Sequence, residues 1–261
     1  MSERTGYATG TPSWVDLMTT DAEAARQFYG ELFGWEFMIS EEEEFAGYTT
    51  CTKRGLNVAG LGSPPAEGAP PAWTTYLATD DVEAAAERIT GAGGTVLAPP
   101  MKVGDYGSMC IAMDSTGAVF GLWQAGDMIG AQLVNEPGSF TWNELATRDL
   151  AAAQDFYTKV CSYDYEAVDT GEAGPPYFTF SVDGQAVGGM QQMASSMPAE
   201  MPAHWATYFA VEDADATAAK AVELGATVLM PPMDTPFGRW TIIKDPQGAT
   251  FSAMTATPDA R

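Results

Sequence analysis

Residues 14–29 read WVDLMTTDAEAARQFY and residues 142–157 read WNELATRDLAAAQDFY, so one pattern occurs twice at an offset of 142 − 14 = 128 positions. Each copy opens with alternating residues, passes an Asp, runs through an Ala-rich helical stretch and ends in Phe-Tyr. A repeat this long means duplication of a whole module and not a short solenoid unit. The correspondence continues along the chain. Tyr48 and Gly55 match Tyr177 and Gly184 at 129, Thr95-Val96-Leu97 matches Thr227-Val228-Leu229 at 132, and Asp114 and Gly117 match Asp245 and Gly248 at 131. The drift in offset puts insertions in loops, where they cost least.

Within each module the pattern of strand, helix and three strands occurs twice. In the first unit, residues 13–19 alternate as a strand, Thr20-Asp21 offers an N-cap, and 22–33 has helical spacing ending near Gly34. Strands are predicted at 35–39, 48–52 and 56–61, with a solvated acidic loop at 41–44. After a Pro/Gly/Ala linker at 63–71, a strand at 73–79, a cap at Asp80-Asp81 and a helix at 82–90 restart the order. Strands at 95–98, 108–113 and 119–124 complete it. The fold class is therefore α+β: four βαβββ units in two tandem modules, 1–124 and 139–261, joined by residues 125–138. At 261 residues each module is long enough for its own core.

Composition narrows the partners. With 46% hydrophobic and 11% aromatic residues the chain is globular, not disordered. Its formal charge of −23 repels phosphate backbones and anionic lipid, so neither nucleic acid nor a membrane surface is an expected partner. Cys51, Cys110 and Cys161 have no metal or redox spacing, and an odd, scattered set suggests reduced thiols in the cytoplasm. No apolar leader or membrane-length apolar run is seen. A monomer and a homodimer are both compatible with the sequence.

In its motifs the chain resembles the vicinal oxygen chelate superfamily, which includes glyoxalase I, extradiol dioxygenases and bleomycin-resistance proteins. The residues that carry the likeness are Phe28-Tyr29 and Phe156-Tyr157, Leu32-Phe33-Gly34-Trp35, the junctions Ala78-Thr79-Asp80-Asp81 and Ala210-Val211-Glu212-Asp213, and the late turns from Asp114 to Gly117 and from Asp245 to Gly248. Together they span both modules. Within the superfamily the chain looks most like actinobacterial tandem proteins labelled glyoxalase-like or hydroxylase. The resemblance implies that each pair of units curls its strands into a cup, with helices on the convex side and ligand or metal inside.

It also implies metal ligands, usually His, Glu or Gln, on the first, fourth, fifth and eighth strands of a module. This chain departs from that pattern. The aligned residues are Trp14 and Trp142 on the first strands, Thr74 and Ala206 on the fifth, and Gly121 and Ser252 on the eighth. The fourth strands, 56–62 and 185–191, hold no acid or His, with Gln191 the nearest candidate. The chain has a single histidine, His204, so a site with two His ligands is impossible within it. The expectation is no bound metal and no cofactor.

Strand alternation aims Trp14, Asp16, Tyr76 and Trp123 into the first cup and Trp142, Glu144, His204, Tyr208 and Met254 into the second. Tyr48 and Tyr177 recur at matched positions and could donate to a ligand. Asp16 and Glu144 are candidate acid–base residues, because a carboxylate on an inward face titrates late if buried. Trp14, Tyr48, Tyr76, Trp123, Trp142, Tyr177, Gln191, His204 and Tyr208 are the candidate ligand contacts. The leading expectation is a metal-independent protein that holds a partly apolar or aromatic metabolite. The alternatives are a lyase, hydroxylase or dioxygenase with an atypical site, and an acidic partner-binding protein whose cups are closed.

Overall fold

A computed structural model describes residues 2–42, 45–64, 66, 68–171 and 174–256. The first module comprises β1 (Pro12–Met18), α1 (Ala22–Phe33), β2 (Glu36–Ile39), β3 (Thr49–Lys53), β4 (Leu56–Gly62), β5 (Ala72–Ala78), α2 (Val82–Gly91), β6 (Thr95–Val103), β7 (Gly107–Met113) and β8 (Val119–Ala125). The second comprises β9 (Phe140–Thr147), α3 (Leu150–Cys161), β10 (Asp164–Val168), β11 (Tyr177–Val182), β12 (Gln185–Gln192), β13 (His204–Ala210), α4 (Ala214–Glu223), β14 (Thr227–Thr235), β15 (Gly238–Lys244) and β16 (Thr250–Ala256). Each module forms one eight-stranded mixed sheet, ordered β2-β3-β4-β1-β5-β8-β7-β6 and β10-β11-β12-β9-β13-β16-β15-β14. Glu43 and Glu44 of the acidic loop, and Pro65 and Glu67 of the first linker, lie outside the described residues.

The local chemistry explains the helix starts. Asp21, Asp81, Asp149 and Asp213 each accept a hydrogen bond from the amide three residues on, at 2.9–3.0 Å. Each satisfies one of the amides left free at a helix start, and an Ala replacement would cost about 1 kcal/mol. The predicted strand at 95–98 runs on through Pro99-Pro100 to Val103. Proline reads as a strand breaker, but β6 and its counterpart β14 are edge strands, where a missing N–H is tolerated.

The expectation of one core per module is overturned. One core joins α1 and the strands of the first unit to Phe209, Phe251 and Ala253 of the fourth unit. The other joins α2 and Phe120 of the second unit to α3, Phe156, Tyr157 and Phe180 of the third. Ring centroids of Phe33 and Phe209 lie 5.0 Å apart, and those of Phe120 and Tyr157 5.7 Å. The helical faces of both modules are therefore apolar toward each other.

The repeated motif residues lock this crossed packing. Tyr29 donates to Asp245 Oδ2 at 2.9 Å while accepting from Trp73 Nε1 at 3.1 Å. In the symmetric position Tyr157 donates to Asp114 Oδ2 at 3.0 Å and accepts from Trp205 Nε1 at 2.9 Å. The other oxygen of each Asp accepts amides of its own late turn. The residues between modules are built in as well. Ala131, Leu133 and Val134 are buried, and Trp35 Nε1 donates to the Gly138 carbonyl at 2.6 Å.

Candidate functional site

Trp14 and Asp16 on β1, Tyr76 on β5 and Trp123 on β8 share one face of the first sheet, because Trp14 pairs with Tyr76 and Tyr76 with Gly121, two residues before Trp123. Asp16 sits beside Gly60 on one neighbouring strand and Thr74 on the other. Tyr48, just before β3, reaches over Gly60. A β-carbon on Gly60 would stand 1.9 Å from the Tyr48 hydroxyl, so only glycine leaves the phenol its place. That hydroxyl accepts from Trp14 Nε1 at 3.0 Å and donates to Asp16 Oδ2 at 3.3 Å. Tyr76 donates to the same oxygen at 3.0 Å, and its ring fills the space a β-carbon on Gly121 would need. Asp16 Oδ1 is buried with no partner.

The second cup repeats the plan with Glu144 in place of Asp16. Glu144 lies beside Gly189 on β12 and Ala206 on β13. The Tyr177 hydroxyl occupies the space over Gly189, where a β-carbon would approach it to 2.0 Å, and accepts from Trp142 Nε1 at 2.9 Å. Tyr208 donates to Glu144 Oε1 at 3.2 Å, and Gln191 Nε2 donates to the same oxygen. His204, half-buried at the start of β13, has Nδ1 3.0 Å from the Pro202 carbonyl oxygen and no contact with Glu144 among these bonds.

Burial governs the electrostatics. Desolvation, opposed by the tyrosine hydrogen bonds, pushes Asp16 up to about 7 and Glu144 up to about 7. The same burial raises Tyr48, Tyr76, Tyr177 and Tyr208 far above the ordinary phenol range, so they remain proton donors.

The two cups differ in access. Trp14, Asp16, Tyr76 and Trp123 are 3–6% exposed. Trp123 donates to the Met128 carbonyl at 2.8 Å, and the Met128 side chain packs against the core, so the connecting segment covers the first cup. In the second cup Trp142, Gln191 and Met254 are half-buried where Trp14, Gly62 and Trp123 are buried, while Tyr177 and Trp240 are half-buried like their counterparts Tyr48 and Met109, and Glu144 is as buried as Asp16.

Two aromatic residues of this open cup escape the sequence reading. Trp240 on β15 stands across from Met254, and its ring lies 5.6 Å from that of Tyr208. Phe237, in the β14–β15 turn, lies 6.0 Å from Tyr177. The signal for Trp240 was available. It corresponds to Met109 at 240 − 109 = 131, the offset of the late turns, so the cross-strand pair Met109–Trp123 becomes Trp240–Met254 with the large ring moved to the other strand.

The donor set does not fit a resident divalent ion. Among the described residues no three His, Cys, Asp or Glu side chains converge. Each cup offers one carboxylate flanked by protonated phenols, and the positions beside that carboxylate on the fourth strands are glycine. A transition-metal site needs three or four ionised or imidazole donors at fixed geometry.

A stringent check of the tyrosine placement is Gly189→Ala. Its methyl must expel the Tyr177 hydroxyl, and overpacking of this kind costs about 1–3 kcal/mol. Urea denaturation should register that loss, and near-UV circular dichroism should register the freed Trp142 indole. Unchanged stability and spectrum would mean that Tyr177 does not occupy this space.

Relatives were found by sequence and by structure. The chain is 43% identical over 263 residues to CFP32 of Mycobacterium tuberculosis (strain CDC 1551 / Oshkosh), a protein with a provisional glyoxylase name, covering 99% of both chains. It is 37% identical to the anthracycline biosynthesis protein DnrV of Streptomyces peucetius over 264 residues, covering 96% of this chain and 94% of that one. Its fold matches the 2,3-dioxygenase LapB from Pseudomonas sp. KL28 with a TM-score of 0.66 at 14% identity, covering 98% and 97% of the two chains. It also matches the Mn(II)-bound glyoxalase from Novosphingobium aromaticivorans with a TM-score of 0.65 at 14% identity, covering 95% and 83%. The family profile matches residues 11–122 and 134–252. Two modules of paired βαβββ units, each curled around a carboxylate and its tyrosines, thus belong to the Glyoxalase/Bleomycin resistance protein/Dioxygenase superfamily.

Proposed function

We propose that this protein binds a small, partly apolar or aromatic metabolite in the second-module cup, without a resident metal, in the cytoplasm. The observation that carries this reading is Glu144: a buried carboxylate at the floor of a half-open cup walled by Trp142, Tyr177, Tyr208 and Trp240. Apolar walls with a few fixed polar groups are the anatomy of a small-molecule site. The aromatic surface suits a flat ring system, and the name of the Streptomyces relative associates that protein with anthracyclines, which are polycyclic aromatics. Three free, buried cysteines support a reducing compartment.

A second reading, acid–base catalysis on a bound carbonyl compound, draws on the same residue. A carboxyl group that titrates near 7 is present in both forms at neutral pH, as a general acid or base requires. Tyr208 and Gln191, both donating to Glu144, would hold it in position.

Tryptophan fluorescence against hydroxylated naphthoquinones and anthraquinones tests the binding reading. Saturable quenching is expected, weakened about tenfold in Trp240→Leu, which corresponds to roughly 1.4 kcal/mol. Absence of saturable quenching across the panel would count against an aromatic ligand. A stoichiometric transition metal in the purified protein would overturn the metal-independent part.

A further inference from the structure

The second cup has a buried carboxyl group with no cation beside it. Buried ionised groups in proteins are ordinarily paired. Yet no Lys, Arg or His lies among the partners of Glu144, which are Tyr177, Tyr208 and Gln191. The ion pairs of the described residues all lie elsewhere, on the surface. The walls are electron-rich rings: Trp142 and Tyr177 are joined by a hydrogen bond on one side, and Tyr208 and Trp240 lie 5.6 Å apart on the other. Faces of tryptophan and tyrosine attract an organic cation within about 6 Å. The whole molecule, at −23, concentrates cations near its surface.

Resting on the reading of this cup as a ligand site, we propose that its ligand carries an ammonium group. That group would sit between the aromatic walls against Glu144, with the apolar body of the ligand toward the mouth. A protonated or quaternary amine supplies the missing countercharge. The rings then contribute an attraction that a neutral group of the same shape lacks.

A pair of probes of equal shape separates charge from packing: para-hydroxyphenyl trimethylammonium and para-tert-butylphenol, titrated calorimetrically into the full-length protein. The cation is expected to bind about tenfold or more tighter than the phenol. Glu144→Gln should weaken the cation about tenfold while changing the phenol less than about twofold. Glu87→Gln, run beside it at pH 8 where Glu144 is ionised, removes a carboxylate from an exposed helix position and should alter neither. Near-UV circular dichroism of the Glu144 variant confirms that it is folded. Equal affinity for the two probes, undiminished cation binding by Glu144→Gln, or failure of the cation to bind overturns the proposal. If the phenol alone binds and Trp240→Leu weakens it, the cation assignment falls while the aromatic site stands.

Discussion

Lowering the pH from 8 to 5 is expected to stabilise this protein by roughly 5 kcal/mol, with the effect carried by Asp16 and Glu144. Their ordinary values are 3.8 and 4.5, and burial raises each to about 7. For a carboxyl raised by folding, the native state holds its proton while the unfolded chain has released it, so stability falls as pH rises between the two values. The penalty is absent below about 4, accumulates between about 4 and 7, and is complete above 7. Each group therefore contributes roughly 2–3 kcal/mol across the window from pH 5 to 8. The sum corresponds to a rise in Tm of roughly 10 °C for a chain of this size.

General charge repulsion at −23 acts in the same direction, so the attribution needs a variant. Asp16→Asn with Glu144→Gln keeps the shape and removes both titrations. Its urea midpoints should vary much less between pH 5 and 8 than those of the parent, and it should be the more stable protein at pH 8. A parent with flat or rising stability over that range, or a double variant that keeps the parent's slope, would show that these carboxyls are not buried as described.

Much of this was legible in the chain. Period-two alternation put Trp14 with Asp16 and Trp142 with Glu144 on one face, and the registers Asp16–Thr74 and Glu144–Ala206 agree. The capping roles of Asp21 and Asp81 followed from their places before the helical stretches. The destination of Tyr29 and Tyr157 was not legible. Helical periodicity marks their side as apolar but says nothing about which module covers it, and both reach a late turn in the other module. The inequality of the cups was hidden for a related reason. Trp14 and Trp142 are the same residue in the same register, yet Trp14 is buried and Trp142 half-buried, and in the first cup Trp123 donates to the Met128 carbonyl of the connecting segment. The burial of Trp123 involves the connecting segment, which lies outside both repeats, so comparing the repeats did not reveal it.

The crossed cores make a prediction of larger effect: residues 1–125 and 126–261, produced separately, are each expected not to fold. In the intact chain Phe33 and Trp73 contact Phe209 at 5.0 Å, and Phe120 contacts Tyr157 at 5.7 Å, every one of these contacts crossing between modules. A buried aromatic ring covers roughly 150–250 Å². At about 25 cal/mol per Å², exposing even three rings on one fragment costs on the order of 10 kcal/mol, as much as a whole domain's typical stability. The fragment would also leave Asp114 or Asp245 without the tyrosine that partners its buried oxygen. Either half alone should therefore lack a cooperative thermal transition and expose dye-binding apolar surface. Refolding the two together should restore one transition, because all the missing contacts lie in the other half. The intact protein should likewise unfold as a single unit in calorimetry. A cooperative transition in either isolated half, or two separate transitions in the whole chain, would mean that each sheet carries enough of its own core to stand alone.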